Sequence, residues 1–278
     1  MKWSIITDSS CDLDINMPIS EHVELDEVPF VLTIDGKDYV DTAELDVPDM
    51  VDAMEACADA SRSSCPAPGA WYEKFKKADH IIAITISHNL SGSYNSAMTA
   101  REMILEQHPE KKIFVLDSLS AGSVLAMYAH KAAELIGKGL HFEDIVQRLK
   151  DYAAQRHTVF ALASFNNLVK NGRVSKLAGF IAGKLGIWGI GIASPEGTIQ
   201  VKNKLRGMKR VLGAFIEDMK ENGFQGGHVI ISHCQNWELA DQLREKILEN
   251  WNSAKVSILS TGGLCSYYAE RKGMIVGY

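Results

Sequence analysis

Short apolar runs that alternate with helical patterns are the feature that most restricts what this chain can fold into. The first half of the chain contains four such runs, which are Trp3–Thr7, Val28–Ile34, Ile81–Ile86 and Ile113–Leu116. Nearly continuous apolar runs of this length are typical of strands that are buried on both faces. Because helical patterns lie between them, we predict a Rossmann-like parallel sheet with helices on both of its faces.

The order of the predicted elements changes after residue 156. Strands are predicted at 159–163, 186–193, 198–203, 228–232, 255–259 and 274–277, and helices at 165–170, 176–184, 207–221 and 236–250. The sequence S-P-E-G at 194–197 is a strong turn signal between two of these strands. We therefore predict an α/β fold with two domains: a parallel α/β domain at 1–156, and a second α/β domain with a mixed sheet at 157–278.

Composition narrows the classes of function. The 278 residues are 46% hydrophobic and 23% charged, with a net charge of −6 and no long basic run, so a nucleic-acid partner is not expected. The five cysteines contain no C-x-x-C pair, which argues against a zinc site or a disulfide framework and favours a reducing cytoplasm. We expect no secretory signal and no transmembrane segment, because the chain enters a strand at once and its apolar runs are short.

Two segments rich in hydroxyl groups are the main candidates for a binding site. One is S-S-C-P-A-P at 63–68, and the other is L-S-G-S-Y-N-S at 90–96, which follows the apolar strand at 81–86. Hydroxyls and free amide N–H groups at the carboxyl end of a strand form a neutral cradle for an anion. We predict that Ser63, Ser64, Ser91, Gly92 and Ser93 contact a small anionic ligand, although rigid turns and a helix N-cap at Ser93 explain the same residues.

Two enzymatic alternatives follow from the same pattern. A serine hydrolase needs a serine beside a histidine that a carboxylate orients, and His88 lies close to Ser91 in sequence. No G-x-S-x-G elbow is present, however, and neither a G-x-G-x-x-G nor a Walker A loop supports a nucleotide enzyme. We therefore predict a binding protein with no catalytic residue, no cofactor and no metal site, with a hydrolase of acyl esters as the alternative.

The segment at 180–192, F-I-A-G-K-L-G-I-W-G-I-G-I, is unusually apolar and rich in glycine. Core packing accounts for it, and so does the wall of an apolar tunnel in which glycines leave space for a ligand. After a predicted strand, Arg206 is the most plausible cation for an anion site.

In combination and in order, these segments resemble the DegV family of bacterial fatty-acid-binding proteins over nearly the whole chain. The motif T-D-S-S-C-D-L at 7–13 is similar to the family's opening T-D-S-x-x-D-L, and I-S-H-N-L-S-G-S-Y at 86–94 to its I-S-S-x-L-S-G-T-Y. The S-S-C-P-A-P segment stands where the family has T-S-x-P-S-P. Further matches are V-L-D-S at 115–118 and L-V-K-N-G-R-V-S at 168–175.

The resemblance implies a two-domain fold that holds one long-chain fatty acid between its domains. It places the carboxylate against Ser63, the loop Ser91–Ser93 and Arg206. It also implies that the protein presents the fatty acid to a fatty acid kinase for acyl phosphate formation in phospholipid metabolism, without itself being the catalyst. Lys170 and Arg173 form the candidate docking patch.

The chain departs from the family pattern near its last strand. Where many relatives carry H-x-G-P-G, this sequence has S-T-G-G-L at 260–264. The histidine is absent, and the hydroxyls of Ser260 and Thr261 are the candidates to replace it at the head group.

Overall fold

A computed structural model describes residues 2–13, 23–57, 61–174 and 186–278. One of its sheets is fully parallel and has the strand order β2-β1-β6-β7. Its members are β1 (Trp3–Asp8), β2 (Val23–Val28), β6 (His80–Thr85) and β7 (Lys112–Asp117). Because all four strands run in the same direction, the loops that follow β1, β6 and β7 meet at one edge of the sheet.

The second large sheet is mixed and has the order β10-β9-β8-β13-β11-β12. Only β11 and β12 pair in parallel, and the other neighbours are antiparallel. Its strands are β8 (Thr158–Leu162), β9 (Ile187–Ala193), β10 (Ile199–Arg206), β11 (His228–His233), β12 (Lys255–Ser260) and β13 (Met274–Gly277). The predicted fold class, a parallel sheet plus a second α/β unit with a mixed sheet, is confirmed.

A small third sheet was not predicted. It is antiparallel, with the order β4-β3-β5, and comprises β3 (Val31–Ile34), β4 (Lys37–Val40) and β5 (Arg62–Ser64). The single strand predicted at Val28–Ile34 is wrong in this respect. Proline lacks the N–H that a ladder needs, and the chain breaks at Pro29-Phe30 into β2 of the parallel sheet and β3 of the small one.

The helices are α1 (Val47–Ala56), α2 (Pro68–Phe75), α3 (Ser93–Gln107), α4 (Ser123–Gly137), α5 (Phe142–Ala153), α6 (Asn166–Lys170), α7 (Met208–Glu221), α8 (Trp237–Asn250) and α9 (Gly263–Ala269). At the start of α1, the side chain of Asp46 accepts from the N–H of Asp49 and Pro48 occupies the first turn, and both residue types are usual at a helix N-terminus. The helix predicted at 176–184 lies outside the described residues.

Two helices join separate parts of the fold. Helix α4 packs on β1 and β6 of the parallel sheet and on β11 and β13 of the mixed sheet, and 11 of its 15 residues are buried. Helix α9, near the end of the chain, packs on α1 and on β3. The predicted domain boundary at 156 falls in the turn between α5 and β8 and stays a prediction.

Candidate functional site

A cavity of about 420 Å³ opens where the parallel sheet, the small sheet and the mixed sheet meet. This volume lies within the roughly 300–1,000 Å³ range of small-molecule sites. Most of its wall is apolar. The apolar part is formed by Phe30, Ile86, Leu90, Ala121, Phe160, Leu162, Leu168, Ala193, Ile199, Leu264, Ala269 and Ile275. The remaining wall contains hydroxyl side chains, two glycines, the thiols of Cys65 and Cys265, and one arginine. The cavity therefore suits a ligand with a long apolar body and a small polar end.

The structure brings the two hydroxyl segments of the sequence together at this cavity. Ser63 and Ser64, at the end of β5, line it from one side, and Ser91 and Gly92, in the loop before α3, line it from another. A Cβ atom built on Gly92 would lie 3.3 Å from the Sγ atom of Cys65, so the two segments are in contact. Four of the predicted contact residues therefore line the same cavity.

The loop before α3, which we call the first loop (Ser87–Ser93), is fixed by a buried carboxylate at the end of β1. One carboxylate oxygen of Asp8 accepts from the N–H of Ile86 (3.0 Å) and from the hydroxyl of Ser93 (2.6 Å). The other accepts from the N–H and the hydroxyl of Ser10. Burial raises the pKa of Asp8, and these four donors oppose that shift because they stabilise its charged form.

The second segment, which we call the second loop (Ser61–Cys65), is held by helix α9 from the far end of the chain. The hydroxyl of Tyr267 is 2.7 Å from the Oγ atom of Ser61, and the hydroxyl of Tyr268 is 2.7 Å from the Oγ atom of Ser63. Asp41 in turn fixes the start of α9, because its two carboxylate oxygens accept from the N–H groups of Gly263 and Leu264. The second loop therefore depends on contacts between residues about 200 positions apart.

The arginine of the cavity wall is Arg173, which follows α6. Its Nε atom donates to the carbonyl of Leu90 at 3.0 Å, which places the guanidinium beside the first loop. The sequence proposed Arg173 for a docking patch together with Lys170, and Lys170 is exposed on α6. The structure places Arg173 at the polar part of the cavity wall as well.

Four predicted contact residues do not line the cavity. Ser93 is fully buried and turned toward Asp8, and Arg206 is exposed at the end of β10. Ser260 is exposed at the end of β12, and the hydroxyl of Thr261 is 2.7 Å from the Oγ atom of Ser266. Their roles at a ligand stay predictions.

Sequence reasoning missed Tyr268, which lines the cavity and contacts Ser63. No local signal marks it, because a Tyr-Tyr pair in a short helix is usual for core packing. The hydroxyls of Ser120 and Thr158 also line the cavity, but they lie 2.7 Å from one another and so satisfy each other. Apart from this pair, the hydroxyls of the wall belong to Ser63, Ser64, Ser91, Thr198 and Tyr268, and those of Ser63 and Tyr268 contact one another.

The apolar tunnel wall predicted at 180–192 lies partly outside the described residues. In the described part, Trp188 and Ile190 belong to the hydrophobic core of the mixed sheet, which agrees with the core-packing interpretation. A Cβ atom on Gly191 would lie 2.3 Å from the ring of Phe160, and Phe160 lines the cavity. Gly191 therefore shapes the wall indirectly, by giving the Phe160 ring a place to lie.

A buried group of carboxyls lies beside both loops. Burial and the nearby charges of Asp41 and Asp8 raise the pKa of Glu27 to about 8, and burial raises that of Asp12 to about 6. Asp12 accepts from the N–H of Gly262 at 2.9 Å, just ahead of α9. The described residues contain no group of three or more metal-ligating side chains arranged for a metal ion, and Asp8, Asp12 and Asp41 instead accept from backbone amides.

For the hydrolase alternative, the structure contains the histidine–carboxylate pair of a triad. The Nδ1 atom of His88 is 2.5 Å from a carboxylate oxygen of Asp117. Within the described ranges, however, no hydrogen bond joins His88 to Ser91, and the Oγ atom of Ser91 accepts from the N–H of Ser93 at 3.3 Å. His233 accepts a backbone N–H from Asn236 and does not line the cavity. The arrangement provides no activated serine.

Comparisons with known proteins agree with this architecture. The model of the DegV family, described as an uncharacterised protein family, matches residues 2–277. The chain belongs to the DegV family. A DegV domain-containing protein of Streptococcus pyogenes serotype M3 is 40% identical over 278 residues, which are 100% of this chain and 99% of the relative.

Two solved structures are similar over essentially the whole chain. One is the fatty acid kinase (Fak) B3 protein of Streptococcus pneumoniae loaded with linoleic acid, with 40% identity, a TM-score of 0.97 and coverage of 100% and 99% of the two chains. The other is a DegV family protein of Eubacterium eligens loaded with heptadecanoic acid, with 35% identity, a TM-score of 0.94 and coverage of 99% and 98%. The predicted family is confirmed. In the part of the chain that the structure describes, no helix has the length and apolar character needed to cross a bilayer.

Proposed function

We propose that this DegV family protein binds one long-chain fatty acid, with the acyl chain in the apolar cavity and the carboxylate between the two hydroxyl loops. The observation that carries the proposal is a cavity of about 420 Å³ whose wall is mostly apolar and whose polar residues include Ser63, Ser64, Ser91 and Arg173. The fatty acids named for the similar pneumococcal and E. eligens proteins support the same ligand class.

The energetics of such a ligand fit this wall. About 14 buried methylenes at roughly 0.8 kcal/mol each contribute on the order of 11 kcal/mol before the cost of association. A carboxylate buried without partners is costly, so it needs the hydroxyl donors and a cation at the polar end. The tail therefore supplies the affinity, and the loops select an acid over other head groups.

Extraction of the purified protein with organic solvent and mass spectrometry tests the ligand class. We expect about one fatty acid per chain, and native mass spectrometry should show the same added mass. The proposal would be contradicted if only nucleotides were extracted, or if the purified protein did not bind added fatty acid. Turnover of an acyl ester that disappears in Ser91→Ala would instead favour the hydrolase.

The cation at the head group can be identified by comparing an acid with an alcohol of the same chain length. Arg206 is our sequence-based proposal, and Arg173 is the arginine that lines the cavity. Loss of a charge-assisted hydrogen bond should weaken acid binding by about 10- to 150-fold and leave alcohol binding nearly unchanged. Arg206→Ala and Arg173→Ala therefore serve as matched variants, and the one with the selective loss identifies the cation.

Presentation of the acid to a fatty acid kinase is a further part of the proposal, in a cytoplasmic setting that suits the five free thiols. The name of the pneumococcal relative supports it. Lys170 is exposed and lies three residues from Arg173, so the two can form one basic docking patch beside the cavity. Lys170→Glu should reduce acyl phosphate formation by added kinase while fatty acid binding is unchanged; loss of binding as well would assign Lys170 to the cavity instead.

A further inference from the structure

Two neighbouring tyrosines of α9 make matching contacts with two alternate serines of the second loop. Tyr267 pairs with Ser61 and Tyr268 with Ser63, each with 2.7 Å between the oxygen atoms. The two rings meet edge to face with centroids 4.9 Å apart. The contacts are alike in geometry but differ in what surrounds them.

The hydroxyl of Tyr267 is fully used inside the protein. It also accepts from the Nδ2 atom of Asn171 at 3.0 Å, and the residue is completely buried away from the cavity. Tyr268 is half-buried and lines the cavity, and among the described residues Ser63 is the hydrogen-bond partner of its hydroxyl. One tyrosine therefore belongs to the frame, and the other faces the ligand.

We propose that Tyr268 is a positioning residue for the head group: its phenol donates to the Oγ atom of Ser63, which leaves the Ser63 proton for the ligand carboxylate. The proposal rests on the fatty acid function above. A hydroxyl has one proton and two lone pairs, and a carboxylate only accepts. Both this order and the reverse one, serine to phenol to carboxylate, use the two protons. The first order is proposed because Ser63 belongs to the loop that meets the first loop, where Cys65 lies against Gly92.

This order has a physical advantage over a serine acting alone. A phenol is a stronger donor than an alcohol, and a hydrogen bond received by Ser63 polarises the one that it donates. The contact also fixes the rotamer of Ser63, so less freedom is lost when the ligand binds. The helix that carries Tyr268 stands directly after the segment where the family's histidine is absent, so the chain supplies a head-group partner from this region by another route.

A double-mutant cycle with two probes tests the proposal. Binding of oleic acid and of its methyl ester is measured for wild type, Tyr268→Phe, Ser63→Ala and the double variant. Phenylalanine keeps the ring packing, so Tyr268→Phe should weaken oleic acid binding by about 5- to 10-fold and ester binding by less than about 2-fold. Because Tyr268 acts through Ser63, the double variant should match Ser63→Ala within about 2-fold.

Tyr267→Phe is the matched control. It removes a hydroxyl with the same geometry from the next residue, so it should lower stability but leave the preference for acid over ester intact. Independent losses from Ser63→Ala and Tyr268→Phe, or equal losses of acid and ester in Tyr268→Phe, would overturn the proposal. Failure of the wild-type protein to bind oleic acid would reject the proposed function itself, whereas acid binding unaffected by Tyr268→Phe would reject this inference alone.

Discussion

The two loops at the polar end of the cavity are held in place by different chemistry. The first loop (Ser87–Ser93) is attached to a charged acceptor, Asp8, at the end of a central strand of the parallel sheet. The second loop (Ser61–Cys65) is attached through neutral hydroxyl pairs to α9, which lies near the other end of the chain. Hydrogen bonds to a charged group are roughly twice as strong as neutral ones.

This difference indicates which of the two loops can shift its position. The first loop is part of the sheet edge, and its position follows from strands that pack as one unit. The position of the second loop depends on the position of α9, and α9 is fixed by Asp41 and Asp12. A change in the α9 contacts should therefore move the second loop and leave the first in place.

Removal of Asp8 should give the largest effect. Asp8→Ala leaves the buried N–H of Ile86 and the hydroxyl of Ser93 without their acceptor, and each orphaned buried group costs about 1–3 kcal/mol. We expect the free energy of unfolding in urea to fall by about 3–5 kcal/mol. Asp144→Ala, at an exposed position of α5, is the control and should cost well under about 1 kcal/mol. A similar small loss for both would mean that water replaces the carboxylate.

A carboxyl near these anchors, Glu27, should also make the stability of the protein depend on pH. The pKa of Glu27 is raised to about 8 by burial and by the charges of Asp41 and Asp8, so the folded state favours its protonated form. That contribution is complete below about pH 4.5 and is lost as the pH rises through about 8.

Glu27→Gln keeps a neutral side chain at every pH and should flatten this part of the profile. Relative to wild type, it should gain on the order of 1–3 kcal/mol at pH 8 and little at pH 4.5. Urea unfolding across this range is the measurement, with Glu106→Gln on the exposed side of α3 as the control. Parallel profiles for wild type and Glu27→Gln would show that Glu27 is charged in the folded protein throughout.

The neutral hydrogen bonds that hold the second loop should contribute less to the free energy of unfolding than the contacts of Asp8. Tyr267→Phe leaves Ser61 and Asn171 without their shared hydroxyl, so we expect a loss of about 1–2 kcal/mol in the free energy of unfolding. Tyr72→Phe, which removes an exposed hydrogen bond to Gln107, should cost less than about 0.5 kcal/mol. A loss from Tyr267→Phe as large as that of Asp8→Ala would remove the contrast between the two loops.

The smallest effect should come from the point where the loops touch. The backbone of Gly92 has φ −73°, which any residue adopts, so Gly92→Ala adds only a methyl group about 3.3 Å from the Sγ atom of Cys65. We expect fatty acid affinity to fall by about 2- to 5-fold with stability nearly unchanged, since one neighbour must shift slightly. Cys65→Ala in the same chain should restore the affinity; if it does not, the added methyl acts on the ligand directly.

The sequence predicts the parts of this molecule that local patterns control. Strands β1, β6 and β7 are apolar along their length because both faces are buried, and this is visible without a structure. Strands β2 and β4 carry charged residues at sheet edges and give no such signal. The turn motifs located Ser63, Ser64, Ser91 and Gly92 because their residue types are specific to such loops.

The partners of those residues are not readable in the same way. Tyr268 reaches Ser63 only because α9 packs on the small sheet, about 200 residues away along the chain. Arg173 reaches the first loop through the carbonyl of Leu90, and no local pattern separates it from a solvated arginine. These contacts arise from tertiary packing, so the spacing of residues in the sequence does not predict them.

Helix α4 has a consequence for how freely this sequence can vary. Most helices of a doubly wound protein keep one face in water, where substitutions are nearly neutral. Helix α4 has almost no such face, since the parallel sheet packs on one flank and the mixed sheet on another. A larger side chain at its buried alanines could not be accommodated by moving the helix toward either sheet without compressing the other. Substitutions in the cores of the two halves of the protein are therefore coupled. A change of side-chain volume on one side of α4 requires a compensating change on the other side.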